Sequence, residues 1–158
     1  MTRQLAVRPL ASPEDAEWCA RTMAATDPWL TLRRGYPECH ALVTNPERET
    51  WIGWRGEARA GFAILSLKGA FVGYLQSLCM AEDARGQGLG SELLGFVEER
   101  VFVERDFKNF FLCVSSFNPR ARALYERLGF EAVGVLHDYV VKGHDELLMR
   151  KTRGPLVS

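Results

Sequence analysis

The stretch Arg85-Gly86-Gln87-Gly88-Leu89-Gly90-Ser91 restricts the fold of this chain more than any other. It joins an apolar run, Gly73 to Met80, to a segment where Leu89, Leu93, Phe96, Val97 and Val101 recur at helical spacing. Glu92, Glu98, Glu99 and Arg100 fall mainly off that stripe, so the pattern predicts an amphipathic helix from about Gly88 to Phe102. Phe110 to Val114 follows, apolar on both alternating faces, as a strand covered above and below would be. Strand, helix and strand in this order predict a parallel pair with a right-handed crossover. The fold class that follows is α/β, a mixed sheet with helices on its faces.

The remaining segments extend that sheet. Leu5 to Leu10 reads as a short strand. Ser12 suits a helix N-cap, Pro13 the first helical position, and Glu14 and Asp15 the positive end of the helix dipole, for a helix running to about Ala25. Asp27 to Pro46 is the least regular portion, with four prolines or glycines among Trp29, Tyr36 and His40, and admits at most a short helix. Trp51 to Trp54, Ala60 to Leu67 and Gly73 to Met80, separated by Gly56 and Lys68-Gly69, predict an antiparallel meander. Asn118, Pro119 and Gly129 mark the cap, first turn and left-handed end of another helix. Ala132 to Val141, a Lys142-Gly143 turn and Asp145 to Lys151 predict a terminal hairpin.

Composition narrows the function classes. With 158 residues and 47% hydrophobic side chains, residues 1–158 are expected to form a single domain needing neither disulfides nor structural metal. Twenty basic and 20 acidic residues leave no surplus of cations to displace counterions, which argues against a nucleic-acid partner. No apolar run approaches the ~20 residues that cross a bilayer, and the N-terminus lacks a signal-like core, so a cytoplasmic protein without a membrane partner is expected. Cys19, Cys39, Cys79 and Cys113 are scattered, with no CxxC pair or clustered histidines to complete a zinc site, and Cys79 and Cys113, inside apolar strand-like runs, read as small buried hydrophobes in preference to reactive thiols.

Glycines without Cβ atoms let the backbone of Gly86, Gly88 and Gly90 turn sharply and close its N–H groups around an anion. The helix start adds unpaired donors and a positive dipole end, which suits a phosphate or diphosphate. A P-loop would need Gly-Lys-Ser/Thr, and no lysine is present. A dinucleotide fingerprint fits Gly86 and Gly88, but Ser91 stands where Gly or Ala belongs, and no acidic residue ends the next strand.

The same loop resembles the Q/R-x-x-G-x-G/A segment of the GNAT superfamily of N-acetyltransferases, with Gln87 or Arg85 at its polar position depending on alignment. Asn118 to Phe130, NPRARALYERLGF, resembles that family's N-x-x-A-x-x-x-Y-x-x-x-G-F segment, and Glu146 to Lys151 its last strand. The resemblance runs from Leu5 to Lys151 and is weakest over Asp27 to Thr50. It implies a GNAT-type fold, a mostly antiparallel sheet whose one parallel pair splays apart to admit acetyl-CoA. The pantetheine arm would pair with Leu78 and Met80 beside Cys79. The diphosphate would rest on Arg85, Gly86, Gln87, Gly88, Leu89, Gly90 and Ser91, and Asn118 and Tyr125 would border the cofactor.

Tyr125 lies two helical turns from Asn118, on about the same face. A phenol there can protonate a leaving thiolate, which matches the general-acid role the family gives to tyrosine. Asn118 serves as a cap, with or without a cofactor contact. A base for the incoming amine is harder to find, because Tyr74-Leu75-Gln76-Ser77-Leu78 has no carboxylate where many family members carry one. Glu38, His40, His137 and Asp138 are the candidates. Trp29, Tyr36 and Tyr139 suit an acceptor pocket, and Arg120, Arg122 and Arg127 a solvated face or a 3′-phosphate contact.

The expected reaction is direct attack of a small-molecule or peptide amine on acetyl-CoA. The alternatives are a catalytically silent CoA-binding sensor of the same fold and, more remotely, a nicotinamide-dependent oxidoreductase. Apolar strands at a sheet edge would also suit a homodimer.

Overall fold

The computed structural model describes residues 2–157. Seven strands form one sheet in the order β1-β2-β3-β4-β5-β7-β6. They are β1 (Ala6–Pro9), β2 (Glu49–Arg55), β3 (Ala58–Ser66), β4 (Tyr74–Met80), β5 (Asn109–Ser115), β6 (Glu131–Leu136) and β7 (Glu146–Thr152). The helices are α1 (Pro13–Ala24), α2 (Tyr36–Val43), α3 (Leu89–Glu99) and α4 (Pro119–Arg127). Every neighbouring pair of strands is antiparallel except β4 and β5, the expected parallel pair.

Two apolar cores flank the sheet. Ala16, Cys19, Ala20 and Met23 of α1 and Cys39 and Val43 of α2 pack on Ile52, Phe62, Ile64 and Cys79. On the other face Leu89, Leu93, Leu94 and Val97 of α3 meet Ala63, Leu65, Leu75, Phe110, Leu112 and Met149. Side chains alternate across a strand, so Phe62 and Ile64 serve one core while Ala63 and Leu65 serve the other. That explains why β3 is buried through nearly its whole length.

Helix ends follow the sequence signals. The Ser12 side chain accepts a hydrogen bond from the Asp15 N–H at 3.1 Å, and the Asn118 side chain one from the Ala121 N–H at 3.2 Å. Gly129 closes α4 at φ +98°, a conformation that costs a glycine little.

Two expectations need correction. The predicted helix to Phe102 leaves α-geometry at Arg100 and finishes as a π-turn, Arg100–Glu104, with the Arg105 N–H bonded to the Arg100 carbonyl at 3.1 Å. The wider turn brings Val101 and Phe102, adjacent in sequence, into the same core. In the terminal hairpin the first strand stops at Leu136 instead of Val141. His137 to Asp145 is a loop, turned by Asp138 at φ +50°, whose side chain accepts the Gly143 N–H at 2.8 Å.

Candidate active site

The parallel pair is short. The Phe111 N–H bonds the Gly73 carbonyl at 2.7 Å, Tyr74 lies opposite Phe111 and Leu75 opposite Leu112, and there the pairing ends. Gly73 has φ +80°, and a Cβ on it would sit 2.5 Å from the Asn109 carbonyl oxygen, so only glycine permits this close approach. One residue beyond the last pair, the register between β3 and β4 slips. Ile64 faces Ser77 while Leu65 faces Leu75, leaving Gln76 as a bulge. An unpaired residue bends its strand and sharpens its twist, which turns the rest of β4 away from β5.

The backbone bonds show what faces the resulting gap. Ala81 donates to the Ala60 carbonyl at 2.8 Å, and bonding alternates along an antiparallel ladder, so Cys79 and Ser77 also bond to β3. Leu78 and Met80 therefore point their N–H and C=O groups into the gap. On β5, the Ser116 N–H bonds the Asp145 carbonyl at 2.9 Å, so Val114 and Leu112 pair with β7 and the Cys113 carbonyl turns across the gap.

A cleft of about 1500 Å³ opens from this wedge. At the C-terminal end of β4 it is bordered by Arg85, Gly86, Gly88, Leu89, Gly90 and Ser91. Gly86 and Gly88 adopt φ +72° and +77°, with open space where a Cβ would stand. No N–H from Gly86 to Ser91 donates to another backbone group outside helix and strand bonding, and the first turn of α3 has no preceding turn to accept them. Gly86, Gly88, Leu89, Gly90 and Ser91 thus bring main-chain N–H groups without backbone acceptors, and a helix N-terminus, to the border of the cleft.

The side chains of this loop have other tasks. Gln87 does not border the cleft; its amide donates to the Asp83 carbonyl at 2.9 Å and its Oε1 accepts from Arg55 at 2.7 Å, which braces the loop from behind. Arg85 borders the cleft while its guanidinium donates to the Met80 carbonyl and to Thr26 Oγ1, each at 3.3 Å. Cys79 is buried, and desolvation holds its thiol at about 12.

Asn118, Arg120, Ala121, Leu124, Tyr125 and Arg127 of the α4 region form a further wall. Tyr125 is 7% exposed and packs edge-on against Phe130 with ring centres 5.9 Å apart. Burial pushes its phenol well above the usual range, so it remains a neutral hydroxyl donor at physiological pH. Arg122 points elsewhere and pairs with Glu126 at 2.7 Å.

Two further loops contribute to the lining, Ala25 to Arg34 after α1 and, beyond Leu136 at the end of β6, Tyr139 and Val140. They bring Trp29 and Tyr139 to it, together with Tyr74 of β4. Tyr36 instead stacks on His40 with centres 5.7 Å apart and does not reach the cleft. Nor do Glu38, His40, His137 or Asp138; His137 pairs with Asp145 at 3.1 Å on an exposed loop.

Two carboxyls border the cleft: Asp27, exposed and accepting from the Thr31 N–H and hydroxyl through Oδ1, and Glu146, at the start of β7 and 6% exposed. In sequence Glu146 stands out only as the first residue of the segment resembling the family's last strand. The available signal was its period-two spacing from Leu148: both project to the face that Cys113 and Ser115 share, and a charge in an inward-facing position is unusual.

No described helix is long and apolar enough to cross a membrane. Residues 10–130 match the model of the acetyltransferase (GNAT) family. The chain is 30% identical over 136 residues to the uncharacterized N-acetyltransferase YjgM of Escherichia coli K12, covering 78% of each protein. It is 33% identical over 89 residues to the uncharacterized N-acetyltransferase MJ1530 of Methanocaldococcus jannaschii, covering 54% of this chain and 57% of that protein. The fold matches a structure assigned to the GNAT family from Desulfovibrio desulfuricans, with TM-score 0.78, 23% identity and coverage of 94% and 98%. It also matches an aminoglycoside 6′-N-acetyltransferase complexed with coenzyme A, with TM-score 0.75, 18% identity and coverage of 97% and 99%. A splayed parallel pair, a glycine loop at its open end and a family match across most of the sheet lead to one conclusion: the chain belongs to the GNAT family of acetyltransferases.

Proposed function

We propose that the protein transfers an acetyl group from acetyl-CoA to a primary amine, with both substrates bound together in the cleft. The observation that carries this reading is the outward aim of the Leu78 and Met80 backbone groups above the open N–H row of Gly86 to Ser91. A pantetheine arm carries amide groups that can bond the edge of β4 that β5 leaves open, as an added strand would, with Arg85 sharing the Met80 carbonyl. Its diphosphate then meets the donors of the loop and the positive end of α3. In this arrangement Gly86, Gly88, Leu89, Gly90 and Ser91 bind through backbone, Arg85 adds charge and Gln87 braces the loop. Asn118 caps α4, and Arg120 and Arg127 stand where a 3′-phosphate could be met.

The amine nitrogen attacks the thioester carbon, and the oxyanion draws on the backbone N–H of Leu78. As the C–S bond breaks, its electron pair stays on sulfur and the Tyr125 hydroxyl protonates the thiolate. Holding both substrates in one cleft supplies much of the rate, since well-oriented pairs reach effective molarities of about 10⁵ M or more. Some structural relatives are a spermidine N-acetyltransferase chimera and aminoglycoside 6′-N-acetyltransferases, whose names describe amine acceptors. The absence of a carboxylate from β4 favours a silent sensor, and the presence of Glu146 from β7 in the cleft lining supports catalysis.

The test is release of the CoA thiol, followed with a panel of primary amines. Amine-dependent release supports the reading. Tight binding of acetyl-CoA with no release for any amine favours the sensor.

A further inference from the structure

We infer that Glu146 is the group that receives the acceptor's ammonium and removes the proton that blocks attack, an inference resting on the acetyl-transfer reading above. Glu146 borders the cleft, yet its Oε2 is enclosed and makes no well-formed hydrogen bond, the Ser115 hydroxyl opposite it being the neutral donor close enough to lower its pKa. A buried carboxyl oxygen left unpaired is costly, and native proteins seldom keep one without a use. Its place is set by two strands, since Glu146 lies opposite Ser115 on β5 and Leu136 on β6. The groups facing it are Tyr74 from β4, Cys113 and Ser115 from β5 and His144 from the loop before β7. None is a fixed cation that would already satisfy it.

An alkylammonium supplies what the site lacks, a positive N–H donor of small size. Tyr74 and Tyr139 beside it add aromatic faces that attract cations. The acceptor class is therefore a primary amine that arrives protonated. One proton passes from its nitrogen to Glu146 and on to solvent. The freed lone pair forms the C–N bond, the C–S bond breaks, and the nitrogen's second proton is matched by the one delivered to the CoA thiolate. The sum is amide, CoA thiol and one released proton. Burial raises the carboxyl above its usual range while Ser115 and His144 work against that shift, which moves the base toward neutral pH.

The experiment compares wild type with Glu146→Gln and Glu146→Asp, using spermidine, kanamycin A and a short peptide with a free N-terminus as probes. Acetyl-CoA affinity and melting temperature are measured alongside. Glu146→Gln should lose about 10²-fold or more in kcat/KM while binding acetyl-CoA within about twofold of wild type, and Glu146→Asp should recover part of the rate. Wild-type kcat/KM should level off once the carboxyl ionises. The glutamine variant should keep climbing about tenfold per pH unit toward the amine's own pKa. Turnover within about threefold of wild type and an unchanged pH profile would overturn the inference. So would a wild type that binds acetyl-CoA but acetylates none of the three probes. Failure to bind acetyl-CoA at all would instead overturn the underlying reading.

Discussion

Leu75 and Leu112 are the last residues to face each other across β4 and β5, and the bulge at Gln76 follows immediately. The closed end of the wedge is therefore fixed within one residue of the point where it opens, and its anchor is Gly73.

Gly73→Ala should be costly for two separate reasons. It forces an L residue to φ +80° and places a methyl 2.5 Å from the Asn109 carbonyl oxygen. A loss of about 1–3 kcal/mol is expected, read as a lower urea midpoint with unchanged slope.

Gly88→Ala separates stability from binding. Its φ of +77° costs about 1 kcal/mol, and the open space around it adds no clash. The new methyl stands where the diphosphate is proposed to approach, so acetyl-CoA affinity by calorimetry should fall about tenfold, or roughly 1.4 kcal/mol. Gln87→Ala, which removes the brace to Asp83 and Arg55, should weaken binding less.

Much of this arrangement was legible in sequence because it depends on local rules. Ser12-Pro13 and Asn118-Pro119 state where helices begin, Gly129 where one ends, and the glycine loop where a strand hands over to a helix. The π-turn at Arg100 was hidden, since Val101 and Phe102 satisfy a helical stripe well enough to mask the change of pitch. Glu146 was hidden for another reason: its importance comes from Cys113 and Ser115, more than 30 positions earlier and adjacent only through β5–β7 pairing. The direction of the Gln87 side chain was equally unreadable, because Arg55 reaches it from a distant hairpin.

Tyr125→Phe should lower kcat by about 10²-fold with little change in acetyl-CoA affinity, since the ring's packing on Phe130 survives. Because burial raises the phenol's pKa, the wild-type hydroxyl stays protonated through neutral pH and should contribute no ionisation to the profile there. Steady-state kinetics from pH 6 to 9 check both statements.

Asp15 predicts an acid-sensitive fold. Burial alone would raise its pKa, but the Ala11 N–H at 3.0 Å and Arg59 at 2.9 Å outweigh that and hold the carboxyl below its usual value. The stabilisation is complete above about pH 5 and disappears as pH falls through the lowered native value. Asp15→Asn should cost about 1–3 kcal/mol at pH 7 and progressively less toward pH 2. Urea unfolding across that range measures the difference.

The most direct trial is a crystal structure grown with saturating acetyl-CoA. The account predicts diphosphate oxygens within hydrogen-bonding distance of the Gly86 to Ser91 amides, pantetheine amides bonded to Leu78 and Met80, and the thioester sulfur beside the Tyr125 hydroxyl. A cofactor bound elsewhere on the protein, with the β4–β5 wedge left free, would contradict it.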